Sequence, residues 1–196
     1  MSTRRRERGF SLVEILVAMT LVAVAFAAAA PLLIQSAQTN KVQQMKLAAQ
    51  ADARNCMTLI VNTLRTAGWD PRNNGFAAIV LDPDPNTDNF ITANADLLEN
   101  NNIDDDGESV TIRHFNNTLE WRRVADPNVP FVVLAENVTN DADGDGTAEP
   151  LFTPDDTTNP QRITIKITTR SAEPDPRTRQ YLRYTVESDV YLRGGL

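Results

Sequence analysis

The chain of 196 residues has very few of the side chains that enzymes most often use for catalysis. It contains one cysteine, Cys56, so an internal disulfide bond is excluded. It contains one histidine, His114, so a cluster of histidine metal ligands cannot form, and no Cys–His motif is present. Glycine-rich phosphate loops and the G-x-S-x-G motif of hydrolases are missing as well. The sequence therefore predicts a protein that is not an enzyme. Cys56 is predicted to be a small buried hydrophobe, and His114 a surface or hairpin residue of a strand.

Positive charge is scarce outside the N-terminus. The formal net charge is −7, and the isoelectric point is about 4.7. The first nine residues hold four arginines and one glutamate, a net charge of +3, so the remainder of the chain carries −10. A domain this acidic is a poor partner for nucleic acid or anionic lipid, so no nucleic-acid partner is expected. A basic segment before an apolar run marks the cytoplasmic side of a membrane, which predicts that the rest of the chain is translocated.

An apolar segment, Phe10–Ile34, follows the arginines. It is longer than the roughly 20 residues that span a bilayer. Its one charged residue is Glu14, whose carboxylate is costly at membrane depth and is therefore a functional candidate. A plain anchor explains the apolar run, as does a secretory or twin-arginine signal peptide cleaved near Ala25–Ala30. Both interpretations leave Glu14 unexplained.

The stretch from Gly9 through Phe10 to Glu14, with the sequence G-F-S-L-V-E, resembles the processing site of type IV pilins and type II secretion pseudopilins. In that family a membrane aspartyl peptidase cuts after the glycine of a short basic leader, and the new N-terminal Phe is methylated. The resemblance therefore implies cleavage between Gly9 and Phe10 and N-methylation of Phe10. It also implies that Glu14 of one subunit pairs with the Phe10 amine of a neighbour, since neither charge is stable alone in a packed filament core.

The pattern beyond the apolar run predicts that the helix continues into a globular domain. Pro31 lies inside the helical pattern and is expected to kink the helix without ending it. Over residues 41–67 the apolar side chains recur at three- and four-residue steps, which is typical of an amphipathic helix. Gly68 is expected to end it. Residues 69–108 are predicted to be a loop, with a weak apolar patch, Phe76–Leu81, that indicates a short edge strand.

Residues 109–193 are predicted to form a β-sheet. Two alternating segments, 109–115 and 118–124, flank Asn116-Asn117 and predict a hairpin. Further strands are predicted at Phe131–Leu134, Arg162–Thr168 and Tyr181–Leu192. The strand Arg162–Thr168 alternates most regularly and places its three isoleucines on one face. We expect this face to pack against the apolar stripe of the helix, with Trp121 in the same layer. The predicted fold is α+β: a long N-terminal helix, membrane-spanning in its first half, packed on an antiparallel sheet.

The predicted organisation is a leader peptide at 1–9, a transmembrane or filament-core helix at 10–34 and an extracytoplasmic domain at 35–196. The turn Ala67–Pro71, the acidic loops and the final strand are similar to those of minor pilins and pseudopilins of the PilW and GspJ kind. This resemblance implies a pilin-like fold and a minor subunit that primes assembly or sits at the tip. It implies other pilin subunits and prepilin peptidase as partners. The location implied is the inner membrane before assembly, and a periplasm-facing or extracellular filament afterwards.

Two acidic loops predict candidate metal sites. Residues 141–146, with the sequence D-A-D-G-D-G, follow the start of a calcium-binding loop, and their carboxylates would present oxygens to one point. The predicted calcium ligands are Asp141, Asp143, Asp145 and Glu149. Residues 102–107, with the sequence N-I-D-D-D-G, repeat the spacing. Neither loop completes an EF-hand, and aspartate and glycine also form turns without an ion. Calcium and a plain acidic turn stay open for the first loop, and a plain turn is favoured for the second.

Two other functions stay open. One is a filament-borne adhesin or binding module, for which Arg122-Arg123 is a local basic candidate. The other is a membrane-anchored or secreted protein of unrelated function. The first residue of the mature protein discriminates between the interpretations: methylated Phe10 supports a pilin, Met1 supports an anchor, and a residue near Pro31 supports a signal peptide.

Overall fold

The computed structural model describes residues 11–82, 89–157 and 160–192. They form one long α-helix followed by eight β-strands. Helix α1 spans Leu12–Thr66. The strands are β1 Ile79–Asp82, β2 Phe90–Asn94, β3 Ser109–Phe115, β4 Thr118–Arg122, β5 Val132–Glu136, β6 Phe152–Pro154, β7 Arg162–Arg170 and β8 Arg183–Tyr191. The chain divides into two compact units, residues 1–43 and residues 44–196.

The described part of the first unit is the N-terminal portion of α1. Pro31 lies inside the helix, and the helix continues through it. The polar residues Ser36–Asn40 are helical as well. The large apolar side chains between Leu12 and Ile34 are exposed. This portion contains an 18-residue window with a mean hydropathy of 2.4, which is long and apolar enough to cross a membrane.

The second unit contains the end of α1, which is capped as the sequence predicted. Gly68 has a φ of 78°, in the left-handed region that glycine adopts without strain. Its N–H donates to the Asn94 carbonyl at 2.8 Å. Because Asn94 is the last residue of β2, this bond joins the end of the helix to the sheet.

The strands form two antiparallel sheets, with the orders β1-β2-β3-β4-β5 and β6-β7-β8. The prediction of a single sheet over residues 109–193 was therefore wrong. The predicted loop over residues 69–108 was wrong in part, since it contains β1 and β2. Strand β1 lies at an edge of its sheet, as the patch Phe76–Leu81 predicted. Strand β2 was missed because it is short, and its pairing with β3, which sets Ile91 opposite Ile112, is not visible in local sequence.

The hairpin of β3 and β4 is confirmed. Phe115 pairs with Thr118 across a two-residue turn. Asn116 and Asn117 both have positive φ, 48° and 60°. Two positive φ values are typical of a type I′ turn, whose twist matches that of the strands, and asparagine tolerates them better than most residues.

The segment after β5 connects the two sheets. Val138 donates its N–H to the Asn117 carbonyl at 2.9 Å, and it forms a β-bridge with Thr169 of β7. The Val138 carbonyl lies 2.7 Å from Nε2 of His114 in β3. His114 therefore helps to hold the junction of the two sheets together.

The core of the second unit lies where α1 packs on the sheets. Ile163, Ile165 and Ile167 of β7 are fully buried, as their shared face predicted. They belong to one cluster with Ile60 and Leu64 of the helix. Trp121 packs against this cluster, which confirms its predicted layer. The architecture is α+β and pilin-like, a long N-terminal helix packed on antiparallel sheets, as the sequence predicted.

Candidate functional site

The first candidate site is the N-terminal junction. Gly9 and Phe10, the predicted cleavage and methylation residues, lie outside the described residues, as does the whole of residues 1–9. The described chain begins at Ser11, whose carbonyl accepts the Ile15 N–H at 3.1 Å. The predicted junction thus lies immediately before the start of α1.

Glu14 lies in the first turn of α1. Its side chain is exposed, and it borders an apolar surface that includes Ile15, Ala18 and Val22. Within the described part of the chain no cation is paired with it. A carboxylate at this position also interacts favourably with the free N–H groups of the helix start. The helix alone therefore tolerates Glu14, but leaves its charge available to a cation from outside the described chain.

The second candidate site is the acidic loop at residues 141–146. Carboxylate oxygens of Asp141, Asp143 and Asp145 all lie within 4.8 Å of one another. Asp141 is buried, whereas the other two are exposed. Gly144 and Gly146 adopt positive φ, 86° and 91°, and this lets the loop fold back over Asp141. Three oxygens at such separations can reach one cation of the size of Ca²⁺.

The negative charge of Asp141 is stabilised without a metal. Its oxygens accept the N–H groups of Gly144 at 2.6 Å and Gly146 at 3.2 Å. Arg183 of β8 lies 3.4 Å from the same carboxylate. Desolvation alone would raise the pKa of Asp141, but these N–H groups and the Arg183 guanidinium outweigh it and lower the pKa. Calcium binding would therefore have to compete with Arg183, and it stays a prediction.

Glu149 is not a member of the converging group formed by the three aspartates among the described residues. Its carboxylate forms an ion pair with Lys166 of β7. This contact is the largest cause of the raised pKa of Lys166, and it outweighs desolvation, which lowers that pKa. As a calcium ligand, Glu149 would have to leave Lys166. Its role in metal binding is untested and stays a prediction.

The loop at residues 102–107 has a different arrangement. Asp106 pairs with Arg123 at 3.1 Å, and Asp105 accepts a hydrogen bond from the side chain of Asn100. Gly107 has a φ of 91° and donates its N–H to the Arg123 carbonyl at 2.8 Å. Among the described residues its carboxylates do not form a converging group of three. This geometry is that of a hydrogen-bonded acidic turn.

Cys56 and the arginine pair complete the candidates from sequence. Cys56 is buried on the helix stripe, and burial, with a smaller effect of Asp52, raises the pKa of its thiol to about 11. A thiol that stays protonated at neutral pH is a poor nucleophile.

Arg122 and Arg123 do not form one basic patch, because Arg122 stacks on Phe131 and Arg123 stacks on Trp121.

Comparison with known proteins gives one finding. Residues 4–30 match the family described as the prokaryotic N-terminal methylation motif. No curated protein and no solved structure matches the chain. The match covers the predicted cleavage junction, Glu14 and the apolar run as far as Ala30. It supports a type IV pilin-like protein that is processed by prepilin peptidase and assembles with other pilin subunits, and it suggests a structural protein in place of an enzyme.

Proposed function

We propose that the chain is a minor pilin-like subunit that takes part in assembly of a type IV pilus or a secretion pseudopilus, at the priming step or at the tip. The observation that carries the proposal is the methylation motif over residues 4–30. The motif runs directly into a helix whose apolar side chains are exposed. An exposed apolar surface of this length needs lipid or other helices around it.

Glu14 supplies the physical reason for assembly in a fixed register. Cleavage after Gly9 would give Phe10 a free cationic amine four residues before Glu14. Phe10 and Glu14 are close together in the sequence of one chain. The structure leaves Glu14 exposed and unpaired among the described residues. In a packed bundle of helices an isolated charge is costly, and pairing with an opposite charge relieves that cost. We infer that Glu14 pairs with the Phe10 amine of a neighbouring subunit.

The proposed location follows the charge distribution. The apolar helix fits a protein anchored in the inner membrane. The arginines of residues 4–8 favour a cytoplasmic N-terminus, since positive residues stay on that side. The acidic second unit would then face the periplasm, or the exterior of the cell after assembly.

The minor role is favoured by the irregular segments between strands. Long connections precede β3, β6 and β8, and they carry the acidic turns. Major pilins are usually leaner in such irregular loops. The same role is implied by the resemblance of the turn Ala67–Pro71, the acidic loops and the final strand to those of minor pilins.

The experiment that tests the proposed function is mass spectrometry of the protein from sheared filaments and from membranes of its host. A mature chain that starts at N-methylated Phe10, present in the filament fraction in small amounts relative to the main subunit, is expected. A chain that keeps Met1, or one that starts near Pro31, would contradict the proposal.

A further inference from the structure

The outer face of the five-stranded sheet carries a small cavity that no sequence motif indicated. Its volume is about 240 Å³. The strand register explains how the lining forms, since Thr92, Thr111 and Arg122 lie opposite one another on β2, β3 and β4. The next row of the same face contains Phe90 and Arg113. The cavity is lined by Phe90, Thr92, Thr111, Arg113, Arg122 and Phe131.

Two guanidinium groups flank the ring of Phe131. Cζ of Arg113 lies 3.8 Å from the ring centroid, and Cζ of Arg122 lies 4.8 Å from it. A guanidinium that stacks on a ring is held in place through contact between its own flat face and the face of the ring. Its N–H groups point outward in its own plane and stay available to an acceptor.

The two arginines differ in what they bind. Arg113 donates from Nε to an oxygen of Glu120 at 3.0 Å, and its Nη2 lies 2.9 Å from the same oxygen. Arg122 has no carboxylate partner among the described residues. Its Nη1 makes a long contact of 3.4 Å with the Pro127 carbonyl, and its Nε is buried with no acceptor. A buried donor without an acceptor is uncommon in folded proteins, and a water, an ion or a ligand can supply the acceptor.

A hydroxyl pair adds a further donor at the same place. The Oγ1 atoms of Thr92 and Thr111 are 2.9 Å apart, so one hydroxyl donates to the other. Each hydroxyl has one proton, and this bond uses one of the two. The second proton is free to reach an acceptor in the cavity, in the same cross-strand row as Arg122.

The charges around the cavity define the class of ligand. Arg113 is paired with Glu120, and Arg122 is the charged lining residue without a carboxylate partner among the described residues. A monoanion matches this balance. A carboxylate also has the planar pair of oxygens that an arginine edge binds through two parallel hydrogen bonds.

We propose that this cavity binds a carboxylate group. Nε and the free Nη of Arg122 hold its two oxygens, a threonine hydroxyl is the third donor, and Phe131 fixes the guanidinium. The carboxylate comes either from a small free molecule or from a glutamate or aspartate side chain of another protein subunit. The chemistry of binding is the same for both, and the proposal does not depend on the proposed pilin function.

The test uses the full chain, labelled with nitrogen-15, in detergent micelles. Sodium acetate or a short peptide with one glutamate is added against sodium chloride at constant ionic strength, and the Nε–H signal of Arg122 is followed by NMR. We expect a saturable shift of that signal. In calorimetry, Arg122→Gln is expected to weaken binding about tenfold or more, because it removes hydrogen bonds to a charged group.

Arg123→Gln is the matched control. Arg123 is the next residue along the chain and is exposed. It pairs with Asp106 and does not line the cavity. The control is expected to bind like the wild type. The Nε–H signal of Arg113 and the thermal unfolding curve report whether the Arg122→Gln fold is intact.

Two outcomes support the site and identify where the bound carboxylate comes from. Tighter binding of the peptide than of acetate assigns the site to a protein side chain, and equal or tighter binding of acetate assigns it to a free carboxylate. Three outcomes overturn the proposal: no saturable shift of Arg122 in the wild type, an equal loss of binding in both variants, or phosphate binding as tightly as acetate. The saturable shift is measured on the wild type, so this test is valid even if the Arg122→Gln variant fails to fold.

Discussion

Glu14 is the residue for which stability and function make opposite predictions. It is the one charge in the apolar run, and it is exposed in the first turn of α1. Glu14→Leu removes the cost of a carboxylate in the apolar run, a cost that reaches about 2.5–3.5 kcal/mol for a charge at the centre of a spanning helix. We expect the variant to be retained in the membrane at least as well as the wild type. We expect its incorporation into filaments to fall strongly, because the Phe10 amine of a neighbour loses its partner.

Membrane and filament fractions have to be quantified separately for this comparison, for instance by immunoblotting. Glu14→Asp, which keeps the charge, serves as the control and should retain part of the incorporation. Normal incorporation of Glu14→Leu would show that the proposed pairing between subunits does not operate.

Asp143 decides whether the acidic loop is a calcium site. Its carboxylate is exposed and lies near those of Asp141 and Asp145. If the loop binds Ca²⁺, the metal stabilises the folded state by mass action, by about 2.7 kcal/mol at 100 times Kd. For a domain of this size that corresponds to a rise in Tm of several degrees. We expect Asp143→Ala to abolish the rise, measured on the full chain in detergent with millimolar calcium or a chelator.

Asn102→Ala is the control for the calcium experiment. Asn102 is in the other acidic loop, where it accepts the Asp104 N–H at 3.3 Å, and its replacement should leave the calcium response unchanged. An identical Tm in calcium and in chelator for the wild type would identify residues 141–146 as an acidic turn only.

At the scale of elements, Asp155 links acid stability to the start of β7. Its Oδ1 accepts the N–H groups of Asp156, Gln161 and Arg162 at 3.0, 3.0 and 3.1 Å. The bond from Arg162 is the largest cause of the lowered pKa of Asp155, with desolvation opposing it. A lowered folded-state pKa means that this carboxylate stabilises the fold above its ordinary pKa of 3.8, and that the contribution is lost as pH falls below that value.

The corresponding variant is Asp155→Asn, which keeps the shape and removes the charge. We expect it to lower Tm at neutral pH and to approach the wild type as the pH falls below about 4. Glu136→Gln, at an exposed position at the end of β5, is the control and should follow the wild type throughout. A difference between Asp155→Asn and wild type that is constant with pH would contradict the assigned role of the carboxylate.

The elements that sequence predicted correctly are those whose signals are local. The β7 isoleucines alternate within one strand, and the Asn116-Asn117 turn lies between its own two strands. Strand β2 and the division into two sheets were missed, because both are decided by pairing between distant segments. The partners of Asp141 and Glu149 could not be predicted for the same reason, since Arg183 and Lys166 reach them from other strands.

The cavity around Arg122 illustrates the same limit at the level of a site. The sequence indicated an arginine pair, but adjacent residues point to opposite sides near a strand end. Only the cross-strand register sets Arg122 beside Thr111, and only the fold of the segment before β5 brings Phe131 onto it. The N-terminal motif, in contrast, is contiguous in sequence, so it could be identified without any structure.

At the scale of the whole molecule, charge is distributed along the chain in the order that membrane insertion requires. A basic N-terminus, net +3 over nine residues, precedes an apolar helix and an acidic globular unit. By the positive-inside rule this order favours the proposed topology, with the basic segment on the cytoplasmic side and the acidic unit translocated. Removal of the leader at Gly9 would then detach the cytoplasmic anchor and leave the apolar helix free to leave the bilayer for a filament.

The last prediction tests that step. Gly9→Val introduces a branched side chain at the residue before the proposed scissile bond, where the family's peptidase requires an unbranched one. We expect the variant to keep residues 1–9, to stay in the membrane and to be lost from filaments, as measured by the intact mass of the membrane and filament proteins. Ala18→Val, an exposed position of α1 beyond the junction, adds a comparable bulk and should be processed normally. If membranes that express Gly9→Val still contain a chain lacking residues 1–9, the assignment of the cleavage site is wrong.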